Sequence, residues 1–450
     1  MTAASKKRPP AKPATQGLVA RRAALDILTL VRAGAGLDEA LDKCRSFDAL
    51  EGSDRAFART LATTALRRQG GLDALIGAHV ERPLPKRAAR AMDILRLAAA
   101  QSAALGVADH AVVNTAVALA RSFQETAGYA GMINAVARKI AAAGPAALEK
   151  LPVRIDTPGW LWRSWERAYG PAAARAVAEA HRREPPLDLT PKDPAEAEAL
   201  AQRLGARLLA AGSLRLDHAG PVPRLPGYAE GRWWVQGAAA ALPARLLIGA
   251  FPEGIAGKRV LDLCAAPGGK TLQLAAAGGR VTAVDVAGPR LKTLAENLQR
   301  VSLSAETVKA DILKWTPDAP ADAVLLDAPC SGTGTIRRRP DIPWAKNEDE
   351  IAALARLQSR LIDRALGFLK PGGVLVYAVC SLQPEEGERQ AAAALARHSG
   401  LERIPVRAEE IGGLPAAITR EGDLRTLPSH LAEAGGMDGF FAARLRRSRG

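Results

Sequence analysis

The sequence predicts a multi-domain protein with an all-α N-terminal domain, a small α+β middle subdomain and a C-terminal α/β domain with a Rossmann-like, doubly wound sheet. Three observations indicate this class. The chain has 450 residues, which is too long for one typical core. Apolar residues at helical spacing dominate the N-terminal part. Strand and helix patterns alternate in the C-terminal half, which is typical of a parallel sheet with crossover helices.

Residues 18–145 are predicted to form the all-α domain, after a basic tail, residues 1–17, that is predicted to be disordered. The helical pattern rests on four apolar series: Ala24, Leu28 and Val31; Phe57, Leu61 and Leu66; Met92, Leu95 and Ala99; Val112, Ala116 and Leu119. Gly34 follows the first series as a stop signal, and Ser53-Asp54-Arg55 opens the second helix. Gly144-Pro145 then breaks the pattern, which indicates a domain boundary.

Residues 152–232 are predicted to form the middle subdomain. It begins with an aromatic helix, whose ring-bearing and apolar positions are Trp160, Leu161, Trp162, Trp165 and Tyr169. Glu184-Pro185-Pro186 ends a second helix, because proline cannot continue helical hydrogen bonding. The remainder alternates short helix and strand patterns. Since this segment is too small for a full core of its own, we expect it to pack on the domain that follows.

Residues 233–450 are predicted to form the α/β domain. Apolar runs that read as buried strands lie at residues 260–263, 281–284, 307–310, 323–326 and 374–377, and residues 437–445 read as a late strand. A helix over residues 272–277 follows the first of these strands. This alternation predicts crossover connections between parallel strands.

The net charge of +15 indicates a polyanionic partner, such as nucleic acid, whose binding would depend on salt. A basic surface kept for solubility is the alternative. No apolar run is long enough to cross a bilayer, and the basic start lacks the apolar core of a signal peptide. We therefore expect a cytoplasmic protein with no membrane contact; an organellar address in the basic start is the alternative. Its four cysteines are expected to be reduced thiols, and without Cys-x-x-Cys or paired histidines no metal site is expected.

A glycine-containing loop follows the first predicted strand of the α/β domain. Its residues are Cys264, Ala265, Ala266, Pro267, Gly268, Gly269 and Lys270. Glycine at a strand-to-helix turn lets a ligand approach the backbone beside a helix N-terminus. Asp285 ends the second strand, where a carboxylate can bind two ribose hydroxyls, and Asp311 follows the third, where it can accept from an adenine amino group. Each aspartate taken singly is more readily a loop cap, but in this order on successive strand ends the two fit S-adenosyl-L-methionine.

Two cysteines follow two of the predicted strands. Cys330 lies in Asp327-Ala328-Pro329-Cys330, and Cys380 precedes Ser381. Because the carboxyl ends of parallel strands meet at one crevice of an open α/β sheet, both thiols are predicted to enter it, one of them beside the Asp327 carboxylate. Paired thiols of this kind suit covalent attack on an electron-poor ring followed by proton removal. An inert core thiol is the alternative for either cysteine.

These motifs resemble those of the RNA cytosine-5 methyltransferases. The resemblance rests on residues 261–271 (LDLCAAPGGKT), residues 327–332 (DAPCSG), the Cys380-Ser381 pair and residues 337–344 (RRRPDIPW). The helical segment resembles the NusB-type RNA-binding domain, with residues 133–138 (INAVAR) near its end. The resemblance covers nearly the whole chain and is weakest in the middle. It implies a class I methyltransferase fold, S-adenosyl-L-methionine as cofactor and RNA as partner, with small-subunit ribosomal RNA as the expected substrate.

The resemblance also implies roles for single residues. Cys380 would attack the cytosine at carbon 6, and Cys330 would assist deprotonation and release. Asp327 would contact the amino and ring nitrogens of the base, and could also line the methionine end of the cofactor. Lys270 could hold a carboxylate or the base, or be a solvated lysine at the start of a helix. Cys264 is expected to pack or to contact the cofactor through its backbone rather than to react.

Several positions are candidates for RNA contacts. Arg337-Arg338-Arg339 and the helical domain are expected to contact phosphates. Trp344 could stack on a base or pack in the interior. The C-terminal arginines could touch RNA or form a solvated tail: Arg444, Arg446, Arg447 and Arg449. The sequence departs from the family pattern at three places: Val379 replaces Thr, Gly237 replaces Asp, and Leu187-Asp188-Leu189-Thr190 replaces Leu-Arg-x-Asn. These departures put in doubt the RNA contacts of the middle segment more than they put in doubt the methyl-transfer chemistry.

Other functions predict different features. A DNA cytosine methyltransferase would attack through Cys330 and carry a large recognition segment after it. An amino-directed methyltransferase would have Asn/Asp-Pro-Pro-Tyr/Phe where this chain has Asp327-Ala328-Pro329-Cys330. An RNA-binding assembly or antitermination factor with a vestigial methyltransferase domain would have lost cofactor binding, whereas the motifs here are intact. Nothing indicates an interface, so a monomer is expected.

Overall fold

The computed structural model describes residues 13–449, which divide into two compact units. The first unit contains the residues up to Trp162 together with Arg339–Ala345. The second contains Arg163–Arg338 and the residues from Lys346 onward. Of the tail predicted for residues 1–17, residues 1–12 lie outside the described residues, and the remainder begins the first helix. Most of the predicted middle subdomain shares the second unit with the α/β domain.

The first unit is helical throughout its described residues. Its α-helices up to the end of the domain are α1 (Pro13–Arg32), α2 (Leu37–Lys43), α3 (Arg45–Asp48), α4 (Gly52–Arg67), α5 (Gln69–Gly77), α6 (Ala89–Ala99), α7 (Asp109–Arg121), α8 (Gln124–Ala127) and α9 (Ala130–Glu149). The four predicted helices are present as α1, α4, α6 and α7. The break predicted at Gly144-Pro145 is a kink inside α9, where Gly144 has φ 65°.

The helices that follow are α10 (Gly159–His181), α11 (Ala197–Leu204), α12 (Ala238–Ile248), α13 (Gly269–Ala276), α14 (Gly288–Arg300), α15 (Ile342–Ala345), α16 (Glu348–Gly367) and α17 (Glu388–Arg397). The predicted aromatic helix is α10, which is broken at Gly170, where φ is 82°. The longest helix of the α/β part, α16, is capped at its N-terminus by Asn347, whose side chain accepts from Glu350 N at 3.0 Å. Among residues 13–449, no helix combines the length and the apolar character that a bilayer crossing requires.

A small antiparallel sheet occupies the predicted middle subdomain. Its strands are β1 (Leu187–Pro191), β2 (Arg207–Leu208), β3 (Leu214–Leu216) and β4 (Trp233–Val235), in the order β2-β3-β1-β4. The sheet thus extends past the predicted limit at residue 232. Asp188 and Arg215 are opposite each other in register and form a buried bidentate ion pair at 2.7 and 2.8 Å. Asp188 also accepts from Ala238 N at 2.9 Å, so this departure from the family pattern has a structural role at the start of α12.

The large sheet carries the α/β domain. Its strands are β5 (Arg259–Leu263), β6 (Arg280–Asp285), β7 (Glu306–Lys309), β8 (Ala321–Asp327), β9 (Leu369–Val379), β10 (Leu401–Arg403), β11 (Leu424–Thr426) and β12 (Phe440–Arg447). The order is β10-β12-β9-β8-β5-β6-β7, and β11 pairs with β12. Strands β5 to β9 are parallel, whereas β12 runs antiparallel to β9. The predicted fold class and all six predicted strands are confirmed; β10, β11 and the antiparallel edge were not predicted.

Both faces of the large sheet are buried, which explains why its strands read as continuous apolar runs. In β9, Leu375, Tyr377 and Val379 face one core, which includes residues of α16 and α17. The alternate residues Val374 and Val376 face a second core, which includes residues of α12. Side chains alternate between the faces because successive residues of a strand point to opposite sides.

The peptide Arg339–Ala345, which contains α15, belongs to the first unit although the residues on both sides of it belong to the second. Asp341 Oδ2 accepts from Leu37 N at 3.1 Å. Trp344 Nε1 donates to Leu66 O at 3.0 Å. The two side chains therefore bind backbone groups of α2 and α4, which are 304 and 278 positions away along the chain.

Candidate active site

Cys330 and Cys380 lie side by side just beyond the ends of two neighbouring strands. Strand β8 ends at Asp327, which is in register with Ala378 of the parallel strand β9. The residues that follow therefore leave the sheet at the same edge. Cys330 Sγ lies 3.4 Å from Cys380 Sγ, although the two cysteines are 50 positions apart. The structure thus brings together the two thiols that the sequence placed in one crevice.

The two thiols have different electrostatic surroundings. The hydrogen bond from Cys330 lowers the pKa of Cys380; burial and a nearby carboxylate oppose this shift, and the positive charges of Lys270 and Arg338 support it. The pKa of Cys330 is raised by the same hydrogen bond, by burial and by the negative charges of Cys380 and Glu386. The pair therefore favours a Cys380 thiolate beside a protonated Cys330. The thiolate is the nucleophilic form of cysteine.

Lys270 holds the carboxylate of Asp327. Its Nζ lies 2.6 Å from Asp327 Oδ2 and 5.1 Å from the centre of the Phe440 ring. The lysine is only 8 % exposed, so the alternative of a solvated lysine at a helix start is wrong. The Asp327 side chain remains 30 % exposed, which leaves it accessible to a ligand. The first of the predicted options for Lys270, contact with a carboxylate, describes the geometry.

Asp285 fixes the glycine-containing loop. Its Oδ2 accepts from Ala266 N at 3.0 Å, and its Oδ1 accepts from Ala287 N at 2.8 Å. The loop then turns through Gly268, whose φ of 107° favours glycine. A Cβ at this position would lie 2.7 Å from Leu294 Cγ, so glycine also permits the close approach of the loop to α14. The loop is thus held from both sides at the carboxyl ends of β5 and β6.

Carboxylates surround Cys264 in this loop. Burial raises the pKa of its thiol, and the negative charges of Asp285, Asp327 and Asp262 raise it further, which agrees with an unreactive Cys264. Asp262 is fully buried; its Oδ2 accepts from Thr271 Oγ1 at 2.6 Å, and its Oδ1 has no hydrogen-bond partner among the described residues. Burial also raises the pKa of Asp262, to about 7. A cluster of carboxylates with one unsatisfied oxygen fits S-adenosyl-L-methionine, whose sulfonium and ammonium groups are both cationic.

The two ends of the predicted adenosine site differ. Asp311 is exposed, and its Oδ1 accepts from Leu313 N at 3.0 Å, as expected of a loop cap. Its contact with adenine stays a prediction. Val286, which directly follows Asp285, is 69 % exposed and offers an apolar surface there. Val286 was not singled out from the sequence, because one apolar residue after a strand carries no signal.

The arginine run is only partly available to RNA. Arg337 is 2 % exposed and donates to Gly435 O, so its predicted phosphate contact is wrong. Arg338 has 46 % of its side chain exposed, and its Nη2 lies 2.5 Å from Asp438 Oδ2. Arg338 is therefore the accessible arginine of the run within the second unit. Its positive charge also helps to lower the pKa of Cys380.

Two further candidates for RNA contacts are internal. Arg444 is 3 % exposed, and its Nη1 lies 2.6 Å from Glu410 Oε1. It is neither an RNA contact nor part of a solvated tail, because β12 carries it into the sheet. Trp344 donates its indole N–H to Leu66 O, which supports the packing alternative over base stacking. Nothing in the sequence around Arg444 or Trp344 indicated that these side chains are internal rather than exposed.

Two buried acids of the site were missed. Asp262 lies within the predicted strand at residues 260–263, and a carboxylate inside an apolar run is a signal that could have been used. Glu386 is fully buried between the two cysteine loops. It is flanked in sequence by Glu385 and, two positions on, Glu388, and nothing in the sequence distinguishes it from these neighbours.

Comparisons with known proteins find relatives over nearly the whole chain. A family described as 16S rRNA methyltransferase RsmB/F matches residues 253–446, and the NusB family matches residues 18–142. Ribosomal RNA small subunit methyltransferase B of Pseudomonas syringae pv. tomato is 35% identical over 444 residues, which are 94% of this chain and 96% of that protein. Its counterpart from Klebsiella pneumoniae subsp. pneumoniae is 34% identical, over 88% of this chain and 91% of that protein.

A solved structure shows the same fold over almost the whole chain. The crystal structure of PH0851 has a TM-score of 0.75 and 23% identity, and the match covers 98% of this chain and 100% of that one. The likeness therefore includes the helical N-terminal part as well as the sheet that carries the two cysteines. By its sequence over nearly its full length, this chain belongs to the RsmB/F family of 16S rRNA methyltransferases.

Proposed function

We propose that this protein transfers a methyl group from S-adenosyl-L-methionine to carbon 5 of a cytosine in small-subunit (16S) ribosomal RNA, through a covalent cysteine–cytosine adduct. Relatives named for that RNA support the substrate. The observation that carries the chemistry is the 3.4 Å separation of Cys330 and Cys380, with a lowered pKa for Cys380 caused chiefly by the hydrogen bond from Cys330. Methylation of carbon 5 needs both a nucleophile and a group for the proton step.

Cys380 is the proposed nucleophile. Carbon 5 of cytosine is a poor nucleophile until a thiolate adds to carbon 6. The Cys380 thiolate supplies the electron pair of the new S–C6 bond, and the π pair of the C5=C6 bond becomes available at carbon 5. Bound S-adenosyl-L-methionine would supply the electrophilic methyl group: as the C5–CH3 bond forms, the S–CH3 bond breaks, and its electron pair stays on the sulfur of the departing S-adenosyl-L-homocysteine. A base then removes the carbon 5 proton, the C5=C6 bond re-forms, and the S–C6 bond breaks and returns its electron pair to Cys380.

Cys330 is the proposed base for this last stage. Its proton first passes to solvent, and its thiolate then accepts the proton of carbon 5 and becomes a thiol again. Each turnover releases one proton to solvent and leaves both cysteines as they began. The raised pKa of Cys330, which its hydrogen bond with Cys380 and burial cause, makes the thiolate a strong base once formed.

Asp327 is proposed to bind the target cytosine, and Lys270 is proposed to hold Asp327 and to stabilise the Cys380 thiolate. Lys270 occupies Asp327 Oδ2 at 2.6 Å, which leaves the other carboxylate oxygen for the amino group of the cytosine. The ammonium charge of Lys270 also favours the Cys380 thiolate, after the larger effect of the Cys330 hydrogen bond on its pKa. Lys270 would thus both position Asp327 for its contact with the cytosine and lower the pKa of the nucleophile, Cys380.

The cofactor is proposed to lie along the glycine-containing loop. Main-chain groups of the loop would contact it: Cys264, Ala265, Ala266, Pro267, Gly268, Gly269 and Lys270. Asp285 would accept from the ribose hydroxyls, since each of its oxygens has a second lone pair beyond the one used by the loop. Asp311 would accept from the adenine amino group. The unsatisfied Asp262 Oδ1 would face a cationic group of the cofactor.

RNA binding is proposed for the helical NusB-like domain, for the small sheet of the second unit and for Arg338. The net charge of +15 supports a polyanionic partner. The target cytosine would have to leave its stack to reach the thiols, at a cost that phosphate contacts offset. We further propose that the protein acts in the cytoplasm, in keeping with relatives named for ribosomal RNA, and that it acts as a monomer.

The proposed function is tested by nucleoside mass spectrometry of unmodified small-subunit RNA after incubation with the protein and S-adenosyl-L-methionine. New 5-methylcytosine is expected, and Cys380→Ala should abolish it. Assembly intermediates of the small subunit serve as a second substrate. Cofactor binding without 5-methylcytosine in either RNA would contradict the proposed reaction. Absence of cofactor binding would favour the alternative of an RNA-binding assembly or antitermination factor with a vestigial domain.

A further inference from the structure

Glu386 is a buried carboxylate that none of the proposed steps uses. The residue is 0 % exposed. Its Oε1 accepts from Ser331 N at 2.9 Å and from Gln358 Nε2 at 3.0 Å. Its Oε2 accepts from Ser331 Oγ and from Ser381 Oγ, both at 2.5 Å. A carboxylate removed from water is costly unless donors surround it, and here two donors meet each oxygen.

The donors to Glu386 come from both cysteine loops. Ser331 directly follows Cys330, and Ser381 directly follows Cys380. The two serine hydroxyls also lie 3.1 Å from each other. The Glu386 carboxylate therefore binds the backbone N–H and the hydroxyl of Ser331 in the Cys330 loop, and the hydroxyl of Ser381 in the Cys380 loop.

A second set of contacts supports this connection. Thr333 Oγ1 lies 3.2 Å from the hydroxyls of both Ser331 and Ser381, and it accepts from Leu382 N at 3.0 Å. Gln358 of α16 donates to Pro329 O at 2.9 Å as well as to Glu386. The segment around Cys330 is thereby bound at Pro329 and Ser331, on either side of the thiol. Removing Glu386 would leave the centre of this network without its acceptor.

We propose that Glu386 is a positioning residue for methyl transfer, which holds the loops of Cys330 and Cys380 at the separation that lets one thiol donate to the other. This inference rests on the proposed function for its catalytic meaning, but the geometry it concerns can be measured without catalysis. Misplacement of a reacting group by about 1 Å can cost about 100-fold in rate. The carboxylate also contributes a negative charge on the Cys330 side of the pair.

The charges around the pair indicate how Glu386 acts on each thiol. The pKa of Cys330 is raised by its hydrogen bond with Cys380, by burial, and by the negative charges of Cys380 and Glu386. Lys270 and Arg338 lower the pKa of Cys380, after the hydrogen bond from Cys330, which is the largest effect. Loss of Glu386 should therefore bring the pKa values of the two thiols closer together.

Two substitutions separate the geometry from the charge. In Glu386→Ala, four donors lose their acceptor, and the two loops lose their common attachment. In Glu386→Gln, the amide oxygen can still accept from Ser331 N and Gln358 Nε2, and the amide NH2 can donate to the serine hydroxyls, which can rotate to accept. The glutamine variant thus keeps the attachment and removes the charge. Glu385→Gln is the matched control, because Glu385 pairs with Arg389 at 3.0 Å and has 35 % of its side chain exposed.

The experiment measures peptide-resolved alkylation of Cys330 and Cys380 by iodoacetamide as a function of pH, together with kcat, KM for RNA and the Kd of S-adenosyl-L-methionine. In the unaltered protein, Cys380 should be alkylated at lower pH than Cys330. Glu386→Ala should bring the two alkylation midpoints together and lower kcat about 100-fold, with the cofactor Kd within about twofold. Glu386→Gln should recover most of kcat and shift mainly the Cys330 midpoint downward. Glu385→Gln should match the unaltered protein.

The outcomes distinguish this inference from the proposed function. Unchanged alkylation midpoints and kcat in Glu386→Ala would overturn the positioning role. If the unaltered protein forms no 5-methylcytosine, the proposed function fails, while the alkylation midpoints still show whether Glu386 positions the thiols. If Glu386→Ala does not fold, judged by lost cofactor binding, Glu386→Gln decides: because this variant keeps the attachment, a fall in its kcat of about 100-fold with an unchanged cofactor Kd would refute the positioning role.

Discussion

Lys270 Nζ lies 2.6 Å from Asp327 Oδ2 in a site where the lysine side chain is only 9 % exposed. Lys270→Met would keep the chain length and leave Asp327 without its partner. We expect a loss of about 1–3 kcal/mol in the free energy of unfolding, because a shielded charge becomes uncompensated, and a fall in kcat that exceeds the effect on KM for RNA. Thermal unfolding and methyltransferase kinetics measure both.

The control for this substitution is Lys292→Met. Lys292 lies on α14 with 81 % of its side chain exposed and is 4.0 Å from Glu296. Exposed pairs of this kind contribute little, so the change should stay within about 0.5 kcal/mol. Equal effects of the two substitutions would contradict the role given to the Lys270–Asp327 pair.

The two cysteine substitutions should give opposite results in an adduct assay. Cys380→Ala removes the nucleophile and should abolish both methylation and any covalent RNA complex. Cys330→Ala removes the proposed base and should lose turnover while an RNA adduct accumulates that survives denaturation. Denaturing gel electrophoresis with labelled RNA measures the adduct. A stable adduct formed by Cys380→Ala, and not by Cys330→Ala, would assign attack to Cys330 instead.

Asp262 should make stability depend on pH in the acid-to-neutral range. Burial raises the pKa of this carboxyl from an unfolded value of 3.8 to about 7, so the folded state retains a proton that the unfolded state loses between these values. The stability that this group contributes is present below pH 3.8 and is lost as the pH rises toward 7. Asp262→Asn cannot ionise, and relative to the unaltered protein it should gain stability over that window, on the order of 4 kcal/mol at most.

Chemical unfolding of the second unit without cofactor, between pH 4.5 and 7.5, measures this difference. Asp349→Asn, at an exposed position on α16 in the same unit, provides the comparison. A stability difference between Asp262→Asn and the unaltered protein that stays constant across the range would show that the Asp262 carboxyl does not titrate there on unfolding.

Arg444 and Arg446 should respond differently to alanine although both lie on β12. Arg444 is 3 % exposed, and its replacement would leave Glu410 Oε1 and the carbonyl oxygens of Leu246 and Pro405 without the donor that binds them. We expect Arg444→Ala to cost about 2–4 kcal/mol, as for other buried pairs that lose one member. Arg446 is exposed, and Arg446→Ala should change the unfolding temperature little. Differential scanning calorimetry compares them, and equal unfolding temperatures would show that the burial of Arg444 does not stabilise the fold.

The parts of the fold that the sequence predicted share a physical cause. Strands β5, β8 and β9 are buried on both faces, so their residues must be apolar on both, and a continuous apolar run is visible without knowledge of the partner strands. The carboxyl ends of such strands meet, which made the meeting of Cys330 and Cys380 predictable. Strands β2 and β3 are two and three residues long and carry no comparable pattern.

The parts that could not be predicted depend on distant partners. Arg337 and Arg444 have the composition of surface residues, and only the carbonyl of Gly435 and the carboxylate of Glu410 explain their burial. Glu386 differs from Glu385 only in what surrounds it. A charged residue becomes internal when donors or acceptors from remote segments converge on it, and sequence spacing does not encode that convergence.

The peptide Arg339–Ala345 has a consequence for how this chain can be divided. Because Asp341 and Trp344 bind backbone groups of α2 and α4, a protein cut after Trp162 would keep the peptide and lose its binding partners. The freed indole and carboxylate would lie only a few residues after Arg338. The helical unit therefore cannot be separated by a single cut. A gene split after Trp162 would yield one fragment that lacks Arg339–Ala345 and another that carries this peptide without the helices it binds.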